Sequence, residues 1–194
     1  MFSGIITATQ KAETISKTKN GLEATLPIPD GWKLEMGESI NIDGVCSTVK
    51  SLDSKQFGVY WMAETLSKTN LGSISKDHTF NLEQCITLQT LISGHLVYGH
   101  VDCTATVESV KSDGESKTIL FSLPTEFTKY IIYKGSIAVN GVSLTIVSVD
   151  QSSFSVSLIP HTLSHTNLGD LQKGDTVNIE VDMMAKYLEK LMGK

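Results

Sequence analysis

The sequence predicts an all-β protein: two small antiparallel barrels or sandwiches in tandem, followed by one C-terminal helix. Three observations carry this. The chain repeats itself at a fixed offset. Short, alternating, β-branched runs separated by turn residues fill both copies. Helical spacing of apolar residues is clearest in the tail, which has no counterpart in the first copy.

The repeat is legible in three segments. "DGVCSTV" at Asp43–Val49 returns as "NGVSLTI" at Asn140–Ile146, "AETLSKTNLG" at Ala63–Gly72 returns as "PHTLSHTNLG" at Pro160–Gly169, and "FNLE" at Phe80–Glu83 returns as "VNIE" at Val177–Glu180. Gly44 and Gly141, Gly72 and Gly169, and Glu83 and Glu180 are each 97 positions apart. This divides the 194 residues into domains 1–96 and 97–182 and a terminal helix 183–194. Units of about 90 residues bury a core with little stability to spare, so contact between the halves or between subunits adds needed support.

Predicted strands are Ser39–Ile42, Ser47–Leu52, Phe57–Met62, Thr104–Val110, Thr118–Leu123, Ser136–Val139, Ser143–Val149 and Phe154–Ile159. Asp43-Gly44 and Asn140-Gly141 are hairpin signals because these residues tolerate positive φ. The density of short runs predicts about six strands per half. Asp30–Met36 and Thr125–Tyr133, at equivalent places, read as short helices. In the tail, Met184, Tyr187, Leu188 and Leu191 share one helical face. That face either covers a barrel end or assembles an oligomer.

Composition narrows the function. The net charge is −5 with both signs scattered, so no basic block is present to neutralise phosphates. No run approaches a membrane span, and the N-terminus lacks the pattern of a secretory signal, which predicts a cytoplasmic protein. Cys46, Cys85 and Cys103 form no Cys-x-x-Cys pair, so neither a disulfide framework nor a zinc site is expected. His95 and His100, five apart in a presumed strand, fall on opposite faces and make a poor metal pair. No nucleotide or metalloprotease fingerprint appears.

The repeated segment after each tight turn carries the polar chemistry. Cys46 aligns with Ser143 and Thr48 with Thr145, a nucleophile-like side chain followed by a hydroxyl on the same strand face. Hydroxyls near turns commonly bond local backbone. Clustered hydroxyls and free amides at strand ends also suit a small polar ligand, such as a flat heteroaromatic ring.

At these residues the chain resembles the riboflavin synthases, the lumazine-binding two-domain family. The resemblance covers nearly the whole chain through "MFSGII", "GVCSTV", "AETLSKTNLG", "SGHLVYGHVD", "YKGSIAVNGVSLTIV", "LIPHTLSHTNLG" and "VNIEVDMMAKY". It implies two tandem six-stranded Greek-key antiparallel barrels and a tail helix that drives homotrimer formation, with each active site shared between neighbouring subunits. It implies a transferase of riboflavin biosynthesis that needs no cofactor or metal. Two molecules of 6,7-dimethyl-8-ribityllumazine dismutate by transfer of a four-carbon unit. The products are riboflavin and 5-amino-6-(D-ribitylamino)uracil. Lumazine synthase is a candidate partner; nucleic acid and membrane are not expected.

Carried over by position, the resemblance places Gly4, Ile5, Ile6, Cys46, Ser47, Thr48 and the strand Tyr60, Trp61, Met62, Ala63, Glu64, Thr65 in an N-terminal pocket. It places Gly99, His100, Val101, Lys134, Ser143, Leu144, Thr145, Ser157, Leu158, Ile159, Pro160, His161 and Thr162 in a C-terminal one. Backbone groups of these segments would read the ring edges, with Phe2 near the reacting rings. Cys46, His100, Ser143 and Thr145 are the candidates for direct participation. His100 suits proton transfer, since imidazoles titrate near neutrality. Cys46 either activates the substrate or hydrogen-bonds it. Asp182 is a candidate base or the N-cap of the tail helix. Two departures stand out: Ser47 occupies a core position where the family usually has a large aliphatic, which predicts looser packing, and His161 stands where the first copy has Glu64. The competing reading is a non-catalytic lumazine- or flavin-binding antenna protein. The presence of Cys46, His100, Lys134, Ser143 and Thr145 in one chain favours catalysis.

Overall fold

The computed structural model describes residues 1–193. The first half contains β1 (Ala8–Lys11), β2 (Thr14–Thr18), β3 (Gly21–Pro27), β4 (Ser39–Ile42), β5 (Val45–Leu52), β6 (Gln56–Met62), α1 (Ala63–Lys68) and β7 (Thr79–Gln84). The second contains β8 (Cys103–Asp113), β9 (Ser116–Ser122), β10 (Ser136–Val139), β11 (Val142–Val149), β12 (Ser153–Leu158), α2 (Pro160–His165) and β13 (Thr176–Val181), followed by α3 (Met183–Met192).

The second half is a closed six-stranded barrel in the order β10-β11-β12-β9-β8-β13. The first half is a seven-stranded sheet, β1-β7-β4-β5-β6-β3-β2, whose two edge strands follow each other in the chain. They are one long strand interrupted at Ala12-Glu13, so the order matches that of the barrel. In β8 the same irregularity is a bulge between Val107 and Ser109, and the strand continues through it. Such a bulge lets one strand bend around a small barrel and pair on both sides.

Alternation makes the cores. β3 reads intermediate–buried throughout, with Leu22, Ala24 and Leu26 inward. The first core is built on Phe57, Trp61, Phe80, Ile40, Ile42 and Leu82. The second is built on Phe121 and Phe154, stacked with centroids 5.3 Å apart, with Ile137, Ile146, Val156 and Ile179. Each such side chain contributes about 1.5–3 kcal/mol on burial.

Asp43-Gly44 and Asn140-Gly141 both form the expected turns, with positive φ at all four residues. These turns meet across a pseudo-twofold axis. A Cβ on Gly44 would lie 2.9 Å from Gly141 N, and one on Gly141 would lie 2.8 Å from Gly44 N. Around them the hydrogen bonds are reciprocal. Asn81 Nδ2 donates to Asn140 O (3.0 Å) and Asn178 Nδ2 to Asp43 O (2.8 Å). Asn167 N donates to Asn81 Oδ1 and Asn70 N to Asn178 Oδ1, both at 2.7 Å.

Three expectations are corrected. Asp30–Met36 is not a helix: Gly31 at φ +80 ends the turn begun at Pro29, and Trp32 N bonds back to Pro29 O. Its counterpart is a 3-10 helix over Thr125–Tyr130 only. The segment Tyr60–Thr65 leaves the strand after Met62 and enters α1. The tail helix forms as expected, but its apolar face covers no barrel end: Met184, Tyr187, Leu188 and Leu191 are all more than half exposed. α3 is tied down by Lys186, 2.5 Å from Asp102, and by Glu189, which accepts from Lys129 and Tyr130.

Candidate functional site

Two wedges open where paired strands part company. β5 pairs with β4 through Thr48 but with β6 only from Val49 onward, while β6 continues to Met62 beside β3. Residues 46–48 and 60–62 therefore diverge. β11 and β12 part in the same way, leaving Ser143–Thr145 apart from Ser157–Leu158. Diverging strands leave backbone donors and acceptors without ladder partners. A flat ring with a polar edge can meet such groups. Cys46 and Thr48 project outward from β5, as Ser143 and Thr145 do from β11.

Each wedge is closed by a segment from the opposite half. Cys46 N donates to Gly99 O at 2.9 Å, and Ser143 N donates to Gly4 O at 2.8 Å. Val101 packs on the first core and Ile6 on the second. The fit is close: a Cβ on Gly99 would come within 2.6 Å of Cys46 N, and one on Gly4 within 2.6 Å of Ser143 Cβ. Both glycines also have positive φ, 76° and 74°. This corrects the expected grouping. Gly99, His100 and Val101 belong with Cys46 and Thr48, and Gly4, Ile5 and Ile6 belong with Ser143 and Thr145, because these two segments cross the pseudo-twofold axis.

Several expected pocket residues face elsewhere. Ser47, Trp61, Leu144 and Leu158 point into the barrels, none more than 9% exposed, so only their backbone is available to a ligand. Ser47 does not loosen the core: its Oγ accepts from Trp61 Nε1 at 2.8 Å and donates to Val45 O. At the corresponding places the second half has Leu144 and Leu158, so a polar pair replaces an apolar pair. Phe2 is fully buried, held by reciprocal backbone bonds to Val97 and packed near Cys46; it backs the first wedge without lining it.

The remaining residues lie at the wedges. Tyr60 and Met62 flank the first, and Ala63, Glu64 and Thr65 form the opening turn of α1. Ser157 and Ile159 flank the second, and Pro160, His161 and Thr162 open α2. Lys134, at φ +65, donates its backbone N–H to Ile146 O, beside Thr145. Asp182 is the N-cap of α3, its Oδ1 accepting from Met184 N at 2.9 Å.

The sequence argument missed His95. The segment around it is irregular rather than a strand, so the two histidines go to different wedges. His95 Nδ1 lies 2.7 Å from Ser143 Oγ. Burial pushes this imidazole below its ordinary value, against the opposing charge of Asp182. A neutral imidazole beside a hydroxyl can accept its proton. His100, exposed beside Cys46, is free to reach a bound molecule. Cys103 is not a candidate nucleophile: burial raises its thiol to about 12. Among the described residues no cluster of His, Cys, Asp or Glu is arranged to hold a metal, and no helix is long and apolar enough to cross a membrane.

Two halves of one strand order, each with a polar wedge closed by a segment of the other, define a two-domain all-β protein with a duplicated candidate site. The lumazine binding domain family matches residues 3–85 and 98–182, and the chain belongs to that family. It is 37% identical to a riboflavin synthase of Actinobacillus pleuropneumoniae, over 100% of this chain and 91% of that protein. It is 38% identical to one of Schizosaccharomyces pombe, over 99% and 94%. In fold it matches LumP in complex with riboflavin, with a TM-score of 0.86 and 23% identity over 94% of this chain and 100% of the other.

Proposed function

We propose that the chain is a riboflavin synthase, a transferase that dismutates two 6,7-dimethyl-8-ribityllumazine molecules into riboflavin and 5-amino-6-(D-ribitylamino)uracil. The observation that carries this reading is the end-to-end similarity to riboflavin synthases, at 37% and 38% identity in the two cases above. The chain also keeps a polar side chain and a hydroxyl at both wedges. The two substrate molecules contain all the atoms of the two products, so no oxidant or reductant enters.

The pockets do two things. They hold two pteridines face to face, so that orientation supplies much of the acceleration, and they move protons. The substrate's 7-methyl group is acidic because its anion delocalises into the ring. Ser143 and His95 form one proton-transfer pair; His100 serves the other wedge, next to Cys46. Thr48 and Thr145 offer hydroxyls to ring edges. Acid–base groups of this kind contribute roughly two to four orders of magnitude.

A productive site needs one wedge of each kind. The exposed apolar face of α3 supports its assembly in a homotrimer, with the first wedge of one subunit opposite the second wedge of its neighbour. The protein works in the cytoplasm, with lumazine synthase as the source of substrate and a candidate partner. The test is incubation of the purified protein with 6,7-dimethyl-8-ribityllumazine alone. Riboflavin formation is expected; tight binding without turnover would replace the enzyme with a carrier of the antenna type.

A further inference from the structure

We propose that Glu83 and Glu180 are positioning residues acting crosswise: each is seated in one barrel and fixes the segment that closes the wedge of the other. The proposal rests on the reading of the wedges as substrate pockets. Both carboxylates are 3% exposed, and their hydrogen bonds go to Ser3, Gly4, Tyr98 and His100 backbone and the Ser3 hydroxyl rather than to a wedge side chain. Burying a carboxylate costs several kcal/mol unless donors surround it. Burial pushes both upward, and amide donors pull against that shift.

The donors identify the role. Glu83, on β7, accepts from Ser3 N (2.7 Å), Ser3 Oγ (2.6 Å) and Gly4 N (3.1 Å). Gly4 O in turn accepts from Ser143 N on the opposite barrel. Glu180, on β13, accepts from Tyr98 N (2.7 Å) and His100 N (2.9 Å). Between these two residues, Gly99 O accepts from Cys46 N. Each closing glycine is thus clamped between a carboxylate on one barrel and a strand amide on the other. Gly4 and Gly99 sit at positive φ, a conformation that no side-chain packing of their own can enforce. Glu180 also fixes the backbone from which His100 reaches the first wedge. A glutamine in either place would point an amide N–H at a backbone N–H donor and lose at least one contact, that of Gly4 N at Glu83 or one of the two amides at Glu180.

The experiment uses the full chain, with Glu83→Gln, Glu180→Gln and Ser3→Ala. Hydrogen exchange is followed in peptides containing Ser143 and Cys46, with and without riboflavin, alongside thermal unfolding. Loss of a hydrogen bond to a charged acceptor changes such equilibria about tenfold or more. In Glu83→Gln, faster exchange and weaker riboflavin protection are expected at Ser143, with Cys46 as in the wild type. Glu180→Gln should give the reverse. Ser3→Ala should follow Glu83→Gln with a smaller effect, and it carries the test if the glutamine variants do not fold. Equal changes in both peptides, no change, or changes confined to the variant's own barrel would overturn the proposal. Wild-type protein that makes no riboflavin would instead overturn the enzymatic reading, leaving the exchange pattern to decide on the two glutamates.

Discussion

The two halves share one strand order and differ where a charge, a ring or a hydroxyl had to be placed. In the first core Trp61 and Ser47 form a hydrogen-bonded pair; in the second the same positions are Leu158 and Leu144. At the junction the first half has Asp43 and His78, 2.5 Å apart, and the second has Asn140 and Asp175. At the wedges Cys46 with His100 stands against Ser143 with His95. The barrel tolerates these exchanges because each is made with its partner, so a scaffold duplicated in sequence need not be duplicated in chemistry.

The core pair offers the largest effect. Trp61→Ala removes the largest fully buried side chain of its half and should cost about 3–5 kcal/mol. The sharper version is Trp61→Leu, which takes the indole donor from the buried Ser47 hydroxyl and leaves it only its bond to Val45 O. Adding Ser47→Leu makes the first half like the second, so the double variant should be more stable than Trp61→Leu alone. Denaturant unfolding of the three variants gives the coupling.

The junction comes next. Asn167 donates to both Asp43 Oδ1 and Thr79 O and accepts from Asn81 Nδ2. Its counterpart Asn70 keeps its bond to Thr176 O, but its Oδ1 is buried without a partner. Asn167→Ala should therefore cost about 2 kcal/mol or more, and more than Asn70→Ala. Equal losses in thermal unfolding would mean the junction is symmetric in energy despite its bonds.

A smaller effect depends on pH. Burial lowers the His78 imidazole, but the hydrogen bond and charge of Asp43 outweigh this and leave it raised. Asp77, Asp170 and Asp175 line the same cleft. A group raised on folding stabilises fully below its unfolded value, near 6.5, and loses that contribution as pH rises through the folded value. His78→Gln should thus cost about 1 kcal/mol at pH 6 and less at pH 9. A loss that grows with pH would contradict the pairing.

The turns, the strands beside them and the tail helix were legible because local chemistry decides them: Asp43-Gly44 and Asn140-Gly141 are pairs that tolerate the positive φ a two-residue hairpin turn requires. The start of α1 was not, since Tyr60-Trp61-Met62-Ala63 runs on apolar with no Gly, Pro or side-chain cap to mark where β6 leaves the sheet. The crosswise closure was not legible either. Gly4 and Gly99 are 95 apart while Gly44 and Gly141 are 97 apart, but no spacing reveals that the chain crosses the axis before it enters its barrel. The spacing of His95 and His100 speaks only to whether they share a metal, and nothing local in the sequence joins His95 to its partner Ser143, 48 residues away. Ser47 read as a defect because its remedy, the Trp61 indole, sits 14 residues on.

The central claim is that the wedges are unlike and that one of each makes a site. It is tested by mixing His100→Ala protein, defective in the first wedge, with Ser143→Ala protein, defective in the second, after each is shown to form little riboflavin. Exchange of subunits should restore riboflavin formation, because some sites then combine two intact wedges. Mixtures that exchange subunits and stay as inactive as their components would contradict it.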